Sequence, residues 1–402
     1  MSRFRAGIDR RQFCQSAATA GLLAAIGRSS RAAAAPLSLK TRGTLRPGFE
    51  DTVCKWTPET PRHDHQLIFP LDDGRLLLVW SEYYADRPSL LSRKPTTASG
   101  QAADEVPCRI AGRISTDRCL TWSDRIILQD NVWRNNVKHP NLLRLPNGDV
   151  LFFFVGWDSH EQRNIFMKRS RDNCETWSEM VQISRPGWYC NNHGRVLFLR
   201  SGRIVLPAHT PVSNGAIGAP YSNDCHLHSL VFYSDDNFVT WKQSEDTMTA
   251  PGRGAHEPSI VELKDGRLMC LLRTTTGQLY CAYSSDQGVH WTKPKPTQFP
   301  APDAEPLITR IPTTGDLMVL WNNVKSHSNW PRTPLSIAIS SDEGKTWGHY
   351  HDIDARPAHD AAYPHVFFQN DEAVVTYYTR PTSWARDTEV MLKIFNIEQF
   401  YG

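Results

Sequence analysis

Five segments of this 402-residue chain repeat one eight-residue pattern. They are Ser115–Trp122 (STDRCLTW), Ser170–Trp177 (SRDNCETW), Ser234–Trp241 (SDDNFVTW), Ser284–Trp291 (SSDQGVHW) and Ser340–Trp347 (SSDEGKTW). Their aspartates, at 117, 172, 236, 286 and 342, recur every 50 to 64 residues. A period of that size marks a propeller or an array, in which each repeat buries its apolar faces against its neighbours. The chemistry inside each segment is local: Ser and Asp satisfy backbone donors in a tight turn, and Trp packs between sheets. Three segments carry Cys119, Cys174 or Phe238 where the others have Gly288 and Gly344. Those three turns are expected to be less regular.

A second repeat runs through the same stretch. Six segments read as apolar strand, turn, apolar strand: His65–Trp80, His139–Phe154, His193–Ala208, Glu257–Leu272, Glu305–Trp321 and Tyr363–Tyr378. Their turns are Asp73-Gly74, Asn147-Gly148, Ser201-Gly202, Asp265-Gly266, Thr314-Gly315 and Asn370-Asp371, and Xaa-Gly between apolar runs is a hairpin signal. Six hairpins and five outer turns predict an all-β fold, a six-bladed propeller of four-stranded antiparallel blades around a central channel. The sixth blade has no readable outer-turn segment, so its outer strands are expected to combine the two ends of the chain and close the ring. Length alone would suggest two or three domains; the repeats replace that with one ring over residues 36–402.

Composition narrows the function. Hydrophobic residues make up 40% and charged residues 22%, which excludes wholesale disorder. A net charge of +3 gives no electrostatic footprint for nucleic acid. No apolar run reaches the roughly 18 residues of a membrane span.

Residues 1–35 read as an address. Paired arginines precede Phe13, followed by a mildly apolar stretch from Ala17 to Ile26 and small residues from Ala32 to Ala35. This is the layout of a twin-arginine export signal with a cleavage site near Ala33–Ala35, and it implies a periplasmic or secreted protein. Of nine cysteines, Cys14 lies in that signal. The other eight permit disulfides, and no CxxC pair suggests a structural zinc site.

The hairpin register says what stands at the centre. The residues entering the six inner strands are His65, His139, His193, Glu257, Glu305 and Tyr363. Inner strands line the axis of a propeller, so these residues converge on one mouth. Six polar, mostly titratable side chains at equivalent positions are hard to explain by packing and point to a pocket. His63 and His256 enrich the same mouth. A cluster of histidines could ligate a metal, act as general bases, or hydrogen-bond sugar hydroxyls; no HExxH helix spacing strengthens the metal, and no cofactor is implied.

Each eight-residue segment resembles the Asp box of sialidases and related propellers. The resemblance spans most of residues 50–400 and extends to the mouth. Ala255–Arg273 is similar to the sialidase stretch with a catalytic Glu and a carboxylate-binding Arg. Arg332–Trp347 is similar to the stretch with another such Arg, and Ala362–Val366 to the one with the nucleophilic Tyr. The resemblance implies a retaining glycoside hydrolase acting on a glycan with a terminal acidic sugar. Tyr363 would be the nucleophile and Glu257 its base. Arg273 and Arg332 would clamp the substrate carboxylate, since a planar guanidinium matches a carboxylate. A neutral Tyr, unlike a carboxylate nucleophile, is not repelled by that substrate. Asp104, in the loop 11 residues before Ser115, is the implied acid/base, with Asp86 and Glu105 as alternatives. His65, His139, His193 and Glu305 would contact substrate.

The chain departs from the family at its first blade. Where sialidases carry Arg-Ile-Pro, this sequence reads Pro61–Pro70, PRHDHQLIFP. Asp64 stands near the family arginine's place and Arg62 two residues away, so Arg62 is the remaining candidate for a third clamp. Two other classes therefore stay open: a hydrolase or lyase acting on another acidic, uronate-type sugar through the histidines, and a non-catalytic carbohydrate-binding propeller.

Overall fold

A computed structural model describes residues 48–84, 104–382 and 387–402. The export segment and Asp86 lie outside the described residues. Six antiparallel sheets follow one another along the chain as the blades of a propeller. Their inner strands are Arg62–Pro70, Asn136–Arg144, a divided strand made of Cys190–Asn191 and Leu197–Phe198, then Ala255–Glu262, Leu307–Arg310 and His359–Gln369. Five blades are four-stranded; the third adds its divided inner strand and a short hairpin strand, Ala216–Ile217.

The ring closes as the missing sixth outer turn suggested. Glu50–Cys54 pairs antiparallel with Glu389–Asn396 and becomes the outermost strand of the sixth blade. One sheet thus ties both ends of the described chain together.

The apolar core is divided into six layers, each between two successive blades. Leu67, Val79, Val137 and Phe152 share one layer between the first and second blades. Ile68, Trp80, Val374 and Leu392 share the layer that joins the sixth blade to the first. Each sheet is therefore buried on both faces. That burial is why Leu76–Trp80 and Val150–Val155 read as unbroken apolar runs instead of alternating. The box tryptophans work across these layers. Trp241 packs on Phe153 and Trp347 on Phe299, each in the preceding blade, with ring centroids 5.6 and 5.3 Å apart, while Trp177 packs on Phe152 of its own blade at 5.1 Å.

All five box turns share one geometry. In the first, Ser115 Oγ donates to Asp117 and accepts from the Cys119 amide, while Asp117 accepts from both the amide and the hydroxyl of Thr121. The expected irregularity at Cys119, Cys174 and Phe238 does not occur. These residues take φ of 68°, 73° and 66°, in the same left-handed region as Gly288 and Gly344. The Ser and Asp hydrogen bonds hold the turn whichever residue occupies the site. The penalty of about 1–2 kcal/mol for an L-residue in that region is absorbed there. All eight described cysteines are free thiols. No helix among the described residues is long and apolar enough to cross a membrane.

Candidate active site

The inner strands place the site by a repeated irregularity. In four blades the inner strand breaks register where its entry residue stands: between Asp64 and Leu67, Lys138 and Asn141, His256 and Ser259, and Ala362 and His365. The residues inside those bulges are His65, His139, Glu257 and Tyr363, with φ of 54°, 62°, 46° and 55°. Positive φ is costly for residues with a Cβ, and bulges re-aim side chains. Here they turn one side chain per blade into a shared cleft of about 610 Å³. His193 and Glu305, at the equivalent positions of the other two blades, are fully buried and do not line the cleft.

Tyr363 lies at the centre. Its hydroxyl is 3.5 Å from Glu257 Oε1 and 3.3 Å from Arg273 Nη1. Arg273 also binds Glu257 Oε2 through Nη1 and Asp303 through Nε at 2.5 Å. Arg332 stands over the Tyr363 ring at 5.2 Å and donates to the Tyr378 hydroxyl at 2.8 Å and to two backbone carbonyls. Burial pushes the Tyr363 hydroxyl up, and the Glu257 carboxylate adds to it, so the phenol is neutral. Burial also pushes Glu257 up, but Arg273, His256 and Arg332 more than offset it and hold the carboxyl below its ordinary range. The two groups thus form a neutral acid beside an ionised base.

Arg62 lines the same cleft, and its guanidinium pairs with Asp64 at 2.6 Å and with Asp104 at 2.7 Å. Asp64 is buried and also meets His65 Nδ1 at 2.6 Å. Asp64 therefore has the Arg62 guanidinium as its counter-charge. Burial opposes ionisation of Asp104, yet Lys138 and Arg62 hold it well below the usual carboxylate range. Glu105 instead meets His160 at 2.7 Å on the exposed rim.

The histidines form a packed column. His65 stacks on His139 at 4.0 Å between ring centroids and lies 4.8 Å from the Tyr363 ring. His193 approaches Tyr363 edge-on at 5.9 Å. Burial lowers His139 and His193 well below the ordinary imidazole value, so both are neutral. His193 Nδ1 lies 3.4 Å from Glu305, whose other oxygen meets Arg195 at 2.9 Å. Burial outweighs that guanidinium and pushes Glu305 up. His63 serves the fold, accepting from the Trp80 indole at 3.0 Å.

Several cleft residues escaped the sequence reading. Asp303 orients Arg273 and meets His256 at 3.2 Å, and its only signal was a position two residues before Glu305. Tyr378 holds Arg332, and Trp157, Trp188, Tyr221 and Arg163 line one side of the cleft. Trp157 and Trp188 belong to the tryptophans that the boxes left unexplained.

Known proteins share this architecture. A protein of unknown function from Dyadobacter fermentans superposes with a TM-score of 0.66 at 16% identity, covering 87% of this chain and 98% of its own. A Trypanosoma rangeli sialidase solved with sialic acid gives 0.66 at 14% identity, over 89% of this chain and 60% of that one. In sequence, a Clostridium perfringens sialidase is 24% identical over 214 residues, 47% of this chain and 53% of that relative's length. The chain thus spans about half of that relative. The BNR repeat-like domain family matches residues 98–376, more than half of the chain, and with its boxes, blades and central cleft the protein belongs to that family as a sialidase-like propeller.

Proposed function

We propose that the protein is a sialidase-like glycoside hydrolase that removes a terminal acidic sugar from a glycan with retention of configuration. The observation that carries this reading is the buried, neutral Tyr363 hydroxyl held between Glu257 and Arg273. Arg273 and Arg332, with Arg62 beside them, receive the substrate carboxylate. Tyr363 Oη attacks the anomeric carbon and its proton passes to Glu257, while the leaving oxygen takes a proton from Asp104. Water, deprotonated by Asp104, then attacks the same carbon, and the departing Tyr363 oxygen recovers the proton from Glu257. In the free protein Asp104 is ionised against Arg62 and Lys138. A substrate carboxylate that draws Arg62 to itself weakens that pair and lets Asp104 take up the proton it must donate. His65 and neutral His139 suit sugar hydroxyls, with His193 and Glu305 buried behind them.

The test is release of free sialic acid from an α-linked sialoside by wild type and Tyr363→Phe. Turnover by wild type and a loss of at least about 10³-fold in the variant are expected. No release by either removes sialic acid as the substrate.

One observation favours a second reading. His65 Nδ1 is held by Asp64 at 2.6 Å while its ring lies 4.8 Å from Tyr363. A His–Tyr pair beside arginines suits abstraction of the proton next to a uronate carboxylate, with elimination across the sugar ring. Unsaturated-product absorbance on uronate polymers would decide for it. Saturable glycan binding with no turnover on either substrate would leave a carbohydrate-binding propeller.

A further inference from the structure

Six arginines line the cleft, and they differ in what neutralises them. Arg62, Arg253, Arg273 and Arg380 each have a carboxylate oxygen within 4.0 Å. Arg332 has hydroxyl and carbonyl partners beside the reacting Tyr363. Arg163 has neither. It is 5% exposed, and no carboxylate among the described residues lies within ion-pair distance.

The partners it does have carry no counter-charge. Nη2 donates to Cys190 Sγ at 3.0 Å and lies 3.4 Å from His139 Nε2. Burial keeps that thiol protonated, with its pKa pushed up to about 11, and keeps His139 neutral. Nε is buried with no hydrogen-bond partner among the described residues, and the guanidinium's hydrogen bonds among them all run from Nη2. Trp157 and Trp188 hold the guanidinium at 5.0 and 4.6 Å from their ring centroids. Tyr221 stacks on Trp188 at 4.6 Å and 12°, with its hydroxyl bound to Arg253 at 2.7 Å. Indoles orient a guanidinium and soften its desolvation, but a buried cation without a counter-charge is a costly thing to keep.

We infer that Arg163 is the base of a second anion subsite in the cleft, one that binds a sulfate ester on the glycan. The inference rests on reading the cleft as a glycan site and adds the substrate class: an acidic sugar chain that also carries sulfate. Nη2 is occupied and Nε is covered, so the two-nitrogen grip that suits a planar carboxylate is closed. A tetrahedral sulfate ester can engage Nη1 alone. Trp157 and Trp188 are 2% exposed and hold the guanidinium, while half-buried Tyr221 offers the apolar face of a pyranose a surface to stack on.

The test is calorimetric titration of Tyr363→Phe protein, which removes turnover, with galactose 6-sulfate and with galactose. The sulfated sugar should bind at least about tenfold tighter. Adding Arg163→Met should bring the two sugars within about twofold of each other while leaving galactose affinity in place. Inorganic sulfate should displace galactose 6-sulfate only where Arg163 is present. If Arg163→Met does not give a native near-ultraviolet circular dichroism spectrum, Arg163→Gln is read instead. Equal affinity for both sugars in the starting protein overturns the subsite, as does a preference that survives loss of Arg163. An Arg163-dependent preference in a protein that releases no sialic acid would remove sialic acid as the substrate and leave the subsite standing.

Discussion

The outer rim and the central mouth of this propeller both hold L-residues at positive φ, and they do so for opposite ends. On the rim, Cys119, Cys174 and Phe238 sit in turns whose Ser and Asp side chains are hydrogen-bonded within the same eight residues. At the mouth, His65, His139, Glu257 and Tyr363 sit in bulges, with His256 Nδ1 and Arg163 Nε buried nearby without hydrogen-bond partners among the described residues. The rim uses the conformation to complete a local hydrogen-bond set. The mouth uses it to point one side chain from each of four blades at one space. Strain kept without local compensation is the signature of a functional site.

That contrast can be broken at either end. The largest effect is expected at the mouth. Glu257→Gln should cost about 10²–10⁴ in turnover, the range of a lost general base, with little change in melting temperature. Steady-state kinetics and a thermal melt on the same preparation check both halves, and equal damage to both would refute the division. Asp104→Asn should cost a similar factor on a sialoside with an alkyl leaving group and far less on an aryl leaving group that needs no proton. A loss independent of leaving group would remove Asp104 as the acid.

On the rim the expected pattern inverts. Asp117→Ala removes the acceptor of three hydrogen bonds and should lower stability by about 1–2 kcal/mol, allowing for its partial exposure, with turnover unchanged. Gly288→Ala, at φ 93° with room for a methyl group, isolates the backbone term and should cost about 1–2 kcal/mol. Denaturant unfolding reads both. The smallest effect is in pH. Hydrogen bonds from Thr176 and Thr346 hold Asp172 and Asp342 at about 2. Burial raises Asp286, but the His290 amide and ring more than offset it, again to about 2. Folded values below unfolded ones mean that these groups contribute stability above about pH 4 and lose it as the pH falls to about 2. A melting temperature flat across that interval would show that the boxes do not anchor the rim.

The rim was legible because its chemistry is short-range: Ser115, Asp117 and Thr121 meet within one turn, so their spacing is the structure. The blade count followed for the same reason, and the entry residues of the inner strands were found by counting back from hairpin turns. Counting did not separate the six. Four were aimed into the cleft by bulges, while His193 and Glu305 stayed buried, and a bulge shifts register without leaving a mark in hydrophobic pattern. Asp64 stands near the place of the family arginine. In space it pairs with Arg62 and meets His65, neighbours that a linear reading listed without pairing.

What the sequence determined by itself was the ring: six units, five box turns, apolar hairpin runs, and a closure that joins the two ends of the chain. Each of these follows from interactions within a hairpin or from burial between like layers. Tertiary structure alone decided the site. It placed Glu257 against Tyr363, 106 residues away, set Asp303 behind Arg273, and left Arg163 between two indoles without a counter-charge. Residues far apart in the chain meet there only because six strands share one axis, and no local pattern records which of them face each other across it.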